Sequence, residues 1–179
     1  MNREQQLAEA FVGLTDTLAA DFDPVVLLDR LAGHCVDIIG ADAAGVLVST
    51  SRGELRTMAV STDDGPLFEL FQAQAQEGPG TDCHRLNRPV GAPNLADCTD
   101  RWPRFAPLAV RTGYRAAHAL PLRVNHQTIG AVSLLLAAPG GLSAADLDLA
   151  QALADVAAVA LVHWSPDPAR HTDVLTRVQ

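Results

Sequence analysis

The chain has 179 residues, 48% apolar and 19% charged, enough for one domain with a full hydrophobic core. All 13 basic residues are arginine and 21 residues are acidic; the net charge of −8 argues against this chain gripping a nucleic-acid backbone itself. No apolar run is long enough to cross a membrane, the polar start MNREQQLAEA is no secretory signal, and three cysteines without CxxC spacing fit a reducing cytoplasm.

In chain order, Leu7, Phe11, Leu14 and Leu18 recur at spacings of four, three and four, which predicts an amphipathic helix with a coiled-coil-like seam. Asp23-Pro24 is an N-cap followed by proline at the first helical position, and Leu27, Leu31, Cys35 and Ile38 line one face of a second helix ending near Gly40. Residues 43–50 and 54–61 read as two strands around Ser51-Arg52-Gly53, and 63–76 as a short helix carrying Leu67, Leu70 and Phe71. Gly78-Pro79-Gly80 reads as a turn leading into a short polar segment. Pro89 to Pro93 is at best an edge strand, because two prolines limit its pairing. Trp102 to Arg111 is helical with Gly113 as its stop, and 114–123 with 127–137 form a hairpin around Asn125. Ser143 and Asp146 open a long Ala-rich helix to about His163, apolar on more than one side. The sheet supplies one cover for it; the second is a partner subunit or, as the alternative, the first helix folded back over its own domain. There are no repeats or low-complexity segments; SPDPARHTDVLTRVQ closes the chain as a polar tail.

Several motifs, taken together, carry a resemblance. They are Glu77-Gly78-Pro79, Arg88-Pro89-Val90, Asp100-Arg101-Trp102-Pro103-Arg104-Phe105-Ala106, His118-Ala119-Leu120-Pro121-Leu122, Leu142-Ser143 and Gln151-Ala152-Leu153-Ala154-Asp155-Val156-Ala157. Over about Ala10 to Val162 the sequence resembles a GAF domain, and more narrowly the GAF domains that precede ANTAR RNA-binding modules in actinobacterial antitermination regulators. The resemblance implies an α/β (α+β) fold: a mainly antiparallel sheet with terminal helices on one face and pocket-forming segments on the other. It implies residues 1–22 as a dimerisation helix, 23–164 as the GAF domain, and 165–179 as a tail leading towards an output module that would follow Gln179. Its functional implication is a non-catalytic cytoplasmic sensor that binds a small molecule and signals through its terminal helices to transcription. The expected partners are a second copy of the chain and that ligand. Leu7, Phe11, Leu14, Leu18 and Leu161 are the expected dimer contacts. Met58, Cys83, Trp102, Phe105, Tyr114 and His118 are the expected pocket lining, mixing apolar surface with a few polar handles. The plain alternative is that they only fill the core and the domain is a dimerisation scaffold.

Other chemistries find less in the residues. Cys83-His84 is reminiscent of the cysteine that anchors a tetrapyrrole in bilin photoreceptors of the same fold, but the helix that usually bears it is here Trp102 to Arg111, which has no cysteine. Free methionine sulfoxide reductases are GAF-fold enzymes with cysteines near the pocket, where Cys83 and Cys98 fall. Their Gly-Val-Cys-Gly type motif is absent, and Asp82 should raise the neighbouring thiol's pKa unless a protonated His84 opposes it. The histidines at 34, 84, 118, 126, 163 and 171 show no metal-binding spacing, and the cyclic-nucleotide GAF signature requires a lysine that the chain lacks. His118 reads either as a pocket group or as a core histidine with one bonded nitrogen. No GxSxG elbow supports hydrolysis. With no metal, nucleotide or bilin signature, the cofactor is left unassigned.

Overall fold

The computed structural model describes residues 2–16, 23–62 and 64–164, so Leu18 and the tail 165–179 lie outside the described residues. The elements are α1 (Arg3–Thr15), α2 (Pro24–His34), β1 (Ala43–Ser49), β2 (Leu55–Val60), α3 (Gly65–Gln74), α4 (Pro79–Leu86), β3 (Val90–Ala92), α5 (Phe105–Thr112), β4 (Ala116–Val124), β5 (Gln127–Leu136) and α6 (Ala144–Trp164). The Asp23 carboxylate accepts from the Val25 amide at 2.9 Å with Pro24 in the first turn, the start its sequence predicts. The helix then widens into a π-helical turn, Cys35–Ile39, that stops at left-handed Gly40.

The polar segment after Gly78 is itself a helix, α4, where the sequence suggested only a turn. Gly78 at φ 143° supplies a backbone that other residues resist, Pro79 opens the first turn, and Asn87 closes it in the left-handed region. A side chain at Gly80 would place its Cβ 2.6 Å from Leu47 Cδ1 on the sheet. The glycines that looked like breakers thus let a short helix press on a strand. Trp102 precedes α5 rather than belonging to it, and a 3₁₀ turn at Leu95–Cys98 leads there.

All strand pairs are antiparallel, in the order β2-β1-β5-β4-β3. The proline-framed β3 is an edge strand, as its sequence demands. In β2, Ala59 faces Val46 and Thr57 faces Leu47, so Met58 bulges out of register. The β4–β5 turn has both Asn125 and His126 at positive φ, and Asn87 at the end of α4 donates to the His126 carbonyl at 3.3 Å.

Strand alternation divides the core in two. Ala44, Val46, Leu120, Leu122, Val132 and Leu134 join α1, α2 and α6 on one face. Ala43, Ala117, Ala119, Ala131 and Leu135 meet the α3–α5 layer on the other. The second cover over α6 is α1 of the same chain: Ala10 and Leu14 are buried in one core with Leu153, Ala157 and Leu161, and Arg3 pairs with Asp146 in the first turn of α6. Leu14 and Leu161, expected at a dimer interface, are therefore spent inside the protomer, while Leu7 and Phe11 pack half-buried against the same core. Among the described residues, the large apolar side chains that α1 and α6 leave exposed are Val12, 57% exposed, and Val159, 46% exposed.

Leu14 has no solvent exposure. Leu14→Ala should cost about 2–5 kcal/mol in urea denaturation, the range for a buried leucine, with no change in oligomeric state. An unchanged midpoint would mean that α1 does not pack on the domain.

Candidate functional site: the layer between the sheet and helices α3 to α5

Two carboxylates fasten this layer at its rim. Glu77, in the loop before α4, accepts from the backbone amides of Arg104 at 2.7 Å and Phe105 at 3.1 Å, satisfying donors that the start of α5 leaves open. Asp82 on α4 accepts from the Trp102 indole nitrogen at 3.1 Å and from Arg101 Nε at 3.3 Å. The Arg101 guanidinium lies 4.5 Å from the centre of the Trp102 ring, and Arg85 reaches the same carboxylate at 3.6 Å. Trp102 meets Phe105 edge to face, with ring centres 6.1 Å apart. The spacing of Glu77 and Trp102-Pro103-Arg104-Phe105, which carries the family resemblance, is thus a clasp that shuts α5 onto α4.

Beneath the clasp the layer is filled. Cys83, Trp102 and Phe105 come together there, fully buried in one apolar cluster, and Tyr114 packs half-buried at its margin. Two expected lining residues lie elsewhere. Met58, displaced by its bulge, packs towards α2 and lines an open groove of about 400 Å³ along β2 with Thr57, Val60, Asp64 and Phe68. His118 alternates to the other face of the sheet, because Ala117 and Ala119 take the layer side; its Nε2 accepts from the Leu142 amide at 3.1 Å. Gly141 is required beside it, since a Cβ there would come within 2.2 Å of Nε2. His118 is therefore a half-buried histidine with one bonded nitrogen, on the face opposite the layer.

The sequence reading missed Phe71, Gln74 and Ser133 as layer residues. The Phe71 ring stands on Gly45 of β1, 2.5 Å from where a Cβ would be. Gln74, fully buried, accepts from the Gly80 amide at 2.9 Å. A signal existed: Gln74 continues the Leu67, Leu70, Phe71 stripe of α3, so a polar residue on an apolar face was readable. Ser133 likewise interrupts the apolar run of β5 on the parity of Ala131 and Leu135.

The thiols are poorly placed for nucleophilic work. Burial pushes Cys83 up to about 12, with the Arg123 charge opposing only in part, and burial, not Asp82, is the cause. Cys98 is also raised, first by burial, and its Sγ donates to the Asn94 carbonyl at 3.4 Å. His84 is pushed down by burial, so it does not supply the positive charge that would help Cys83 ionise.

A family model described as a GAF domain matches residues 23–162. The chain belongs to the GAF domain family. Among solved structures it is similar to the GAF domain of a phosphoenolpyruvate-protein phosphotransferase from Acinetobacter, with 16% identity, coverage of 91% of this chain and 95% of that one, and a TM-score of 0.71. It is similar to the chromophore-binding domain of an unusual bacteriophytochrome from R. palustris, at 15% identity over 89% of this chain and 60% of that one, TM-score 0.63. It is also similar to a type II free methionine-R-sulfoxide reductase from Thermoplasma acidophilum, at 15% identity over 79% and 96%, TM-score 0.59. At these identities the likeness concerns the GAF fold alone. No curated protein matches the chain in sequence.

Burial holds His118 below its ordinary value of 6.5, so the folded state binds fewer protons than the unfolded chain. Its contribution should be complete above pH 6.5 and decline as pH falls from there through the lowered folded value. His118→Gln, which keeps an acceptor for Leu142 but cannot titrate, should flatten that acid limb in thermal melts. An equally steep limb would assign the loss to other groups.

Glu77→Ala should cost about 0.5–2 kcal/mol, the range for a lost helix cap, and shift the emission of the Trp102 indole to the red as the rim loosens. Unchanged fluorescence and stability would show the clasp to be ornamental.

Proposed function

We propose that this GAF domain is a non-catalytic sensor: a small molecule enters the layer between the sheet and α3–α5, and the response passes to α1 and α6 on the opposite face. The supporting observation is the contrast between the two faces of the sheet. One face of the sheet sends Val46, Leu120, Leu122, Val132 and Leu134 into a single core with α1, α2 and α6. Apart from Leu47 and Leu135, the other presents mostly small residues, among them Ala43, Gly45, Ala117, Ala119, Ala131 and Ser133, beneath an aromatic cover whose rim is held by hydrogen bonds accepted by the Glu77 and Asp82 carboxylates. A cover fastened by polar contacts at its edge over small residues is the part of the molecule that can lift at modest cost. A ligand acts by binding the lifted and closed forms unequally, which shifts the population that α6 senses through β4 and β5. The resemblance to sensors of antitermination regulators makes transcriptional control in the cytoplasm the proposed output. The protonated, buried Cys83 favours sensing over thiol-dependent sulfoxide reduction.

Native mass spectrometry of the protein purified from a bacterial lysate, with thermal shifts against a metabolite panel, tests the sensor. Retained mass or a reproducible rise in melting temperature is expected. Their joint absence would favour a scaffold, and reductant consumption dependent on methionine sulfoxide would favour the enzyme.

Assembly as a homodimer is part of the proposal, through the outer faces of α1 and α6. Val12 and Val159 are its centre, because they are the large apolar side chains those helices leave exposed. Val12→Asp with Val159→Asp should turn a dimer into a folded monomer in light scattering. A wild-type monomer at micromolar concentration would remove the dimer.

A further inference from the structure

Among the described residues, two fully buried polar groups of this layer have an atom without a hydrogen-bond partner: Nε2 of Gln74 and the hydroxyl of Ser133. Such groups cost stability unless something pairs with them. The Gln74 amide is oriented, because its oxygen takes the Gly80 amide and its nitrogen is the end left over. Ser133 is the cross-strand neighbour of Gly45, on which the Phe71 ring stands, and Gln74 follows Phe71 by one turn of α3. The spare hydroxyl thus lies across the ladder from the glycine beneath the Phe71 ring, and the spare donor one turn further along the helix that carries the ring.

The backbone of Phe71 is also tied to a residue of the outer groove. The Thr57 hydroxyl donates to the Phe71 carbonyl at 3.1 Å, and Thr57, Val60 and Phe68 line the open groove of about 400 Å³ outside α3. Among the described residues, the fully buried side chains of the layer include no charged group, and burial raises its cysteine so that it stays a neutral thiol. An ionised group brought inside would shed its water with only the Arg123 charge acting on the layer beside Cys83, whereas a neutral polar group would meet two unpaired ones. The walls, Phe71, Trp102 and Phe105, are flat and aromatic.

We infer that the ligand is a neutral ring compound bearing a carboxamide or lactam, whose ring takes the place of the Phe71 side chain. Its carbonyl oxygen accepts from Gln74 Nε2, and its N–H donates to Ser133 Oγ. Phe71 is the gate between groove and layer. The inference rests on the sensor reading and names the ligand class for that site. It also accounts for a polar residue kept on each of two otherwise apolar stripes.

The test is calorimetric titration of the full chain with matched neutral and ionised probes: benzamide and benzoate, nicotinamide and nicotinate, indole-3-acetamide and indole-3-acetate. At least one amide should bind, about tenfold or more tighter than its carboxylate. Ser133→Ala, which removes a hydroxyl with no partner, should weaken that amide by about tenfold while the melting temperature of the free protein holds or rises. Phe71→Leu, a smaller gate, should tighten it. Carboxylates binding as well as amides, or binding indifferent to Ser133→Ala, would overturn the assignment. A lower melting temperature for Ser133→Ala would also overturn it, since the hydroxyl would then be serving a fixed buried water. If no amide binds, the ligand class is wrong; a different metabolite retained in native mass spectrometry would leave the sensor standing, and no retained metabolite would remove both.

Discussion

Everything in this fold is arranged around a sheet whose two faces carry side chains of unequal size. Strand alternation sends Val46, Leu120, Leu122, Val132 and Leu134 one way and, apart from Leu47 and Leu135, mostly glycine, alanine and serine the other. The large face can bury helices directly, so α1, α2 and α6 form a conventional interior with it. The small face offers little volume of its own. Its covering helices must lend bulk, and they do so with Phe71, Trp102 and Phe105. Interiors are packed close to crystal density, so aromatic rings on one side and missing Cβ atoms on the other are two halves of one requirement. Gly45 under Phe71 and Gly80 against Leu47 are where that requirement is strictest.

The same asymmetry explains why the α3–α5 layer leans on side-chain hydrogen bonds at its rim. Helices α4 and α5 have eight residues each, too short to be stable alone, and the first has buried only Pro79, Gly80 and Cys83. Glu77 and Asp82 supply at the rim what apolar area does not supply beneath. Asp82 is a junction rather than a pair, holding an indole and two guanidinium groups at once. Losing it would leave Arg85 and Arg101 facing one another.

Periodicity and caps made most of the architecture legible: the Asp23-Pro24 start, both early strands, the edge character of β3, the hairpin at Asn125 and the long last helix were readable because each is decided locally. What failed was decided at a distance. Helix α4 was hidden because its glycines answer to Leu47 and Gln74, not to their own neighbours. The face of His118 turned on strand parity that only the packing of Ala117 and Ala119 resolves. The cover over α6 stayed open between a partner and the chain's own first helix, because a seam such as Leu7, Phe11 and Leu14 looks the same whether it meets another chain or its own. Gln74 and Ser133 were overlooked for a different reason: a polar residue within an apolar stripe was visible, and its oddness was not weighed.

The bulge at Met58 has a bearing on how copies of this protein behave when crowded. An outer strand with regular spacing is a template on which a neighbouring molecule can extend the sheet into a fibre. Here one margin is thrown out of step by the extra residue between Thr57 and Ala59, and the other is a three-residue strand bracketed by Pro89 and Pro93. Both borders are thereby poor seeds for edge-to-edge growth, a protection that matters for a sheet so rich in alanine and valine.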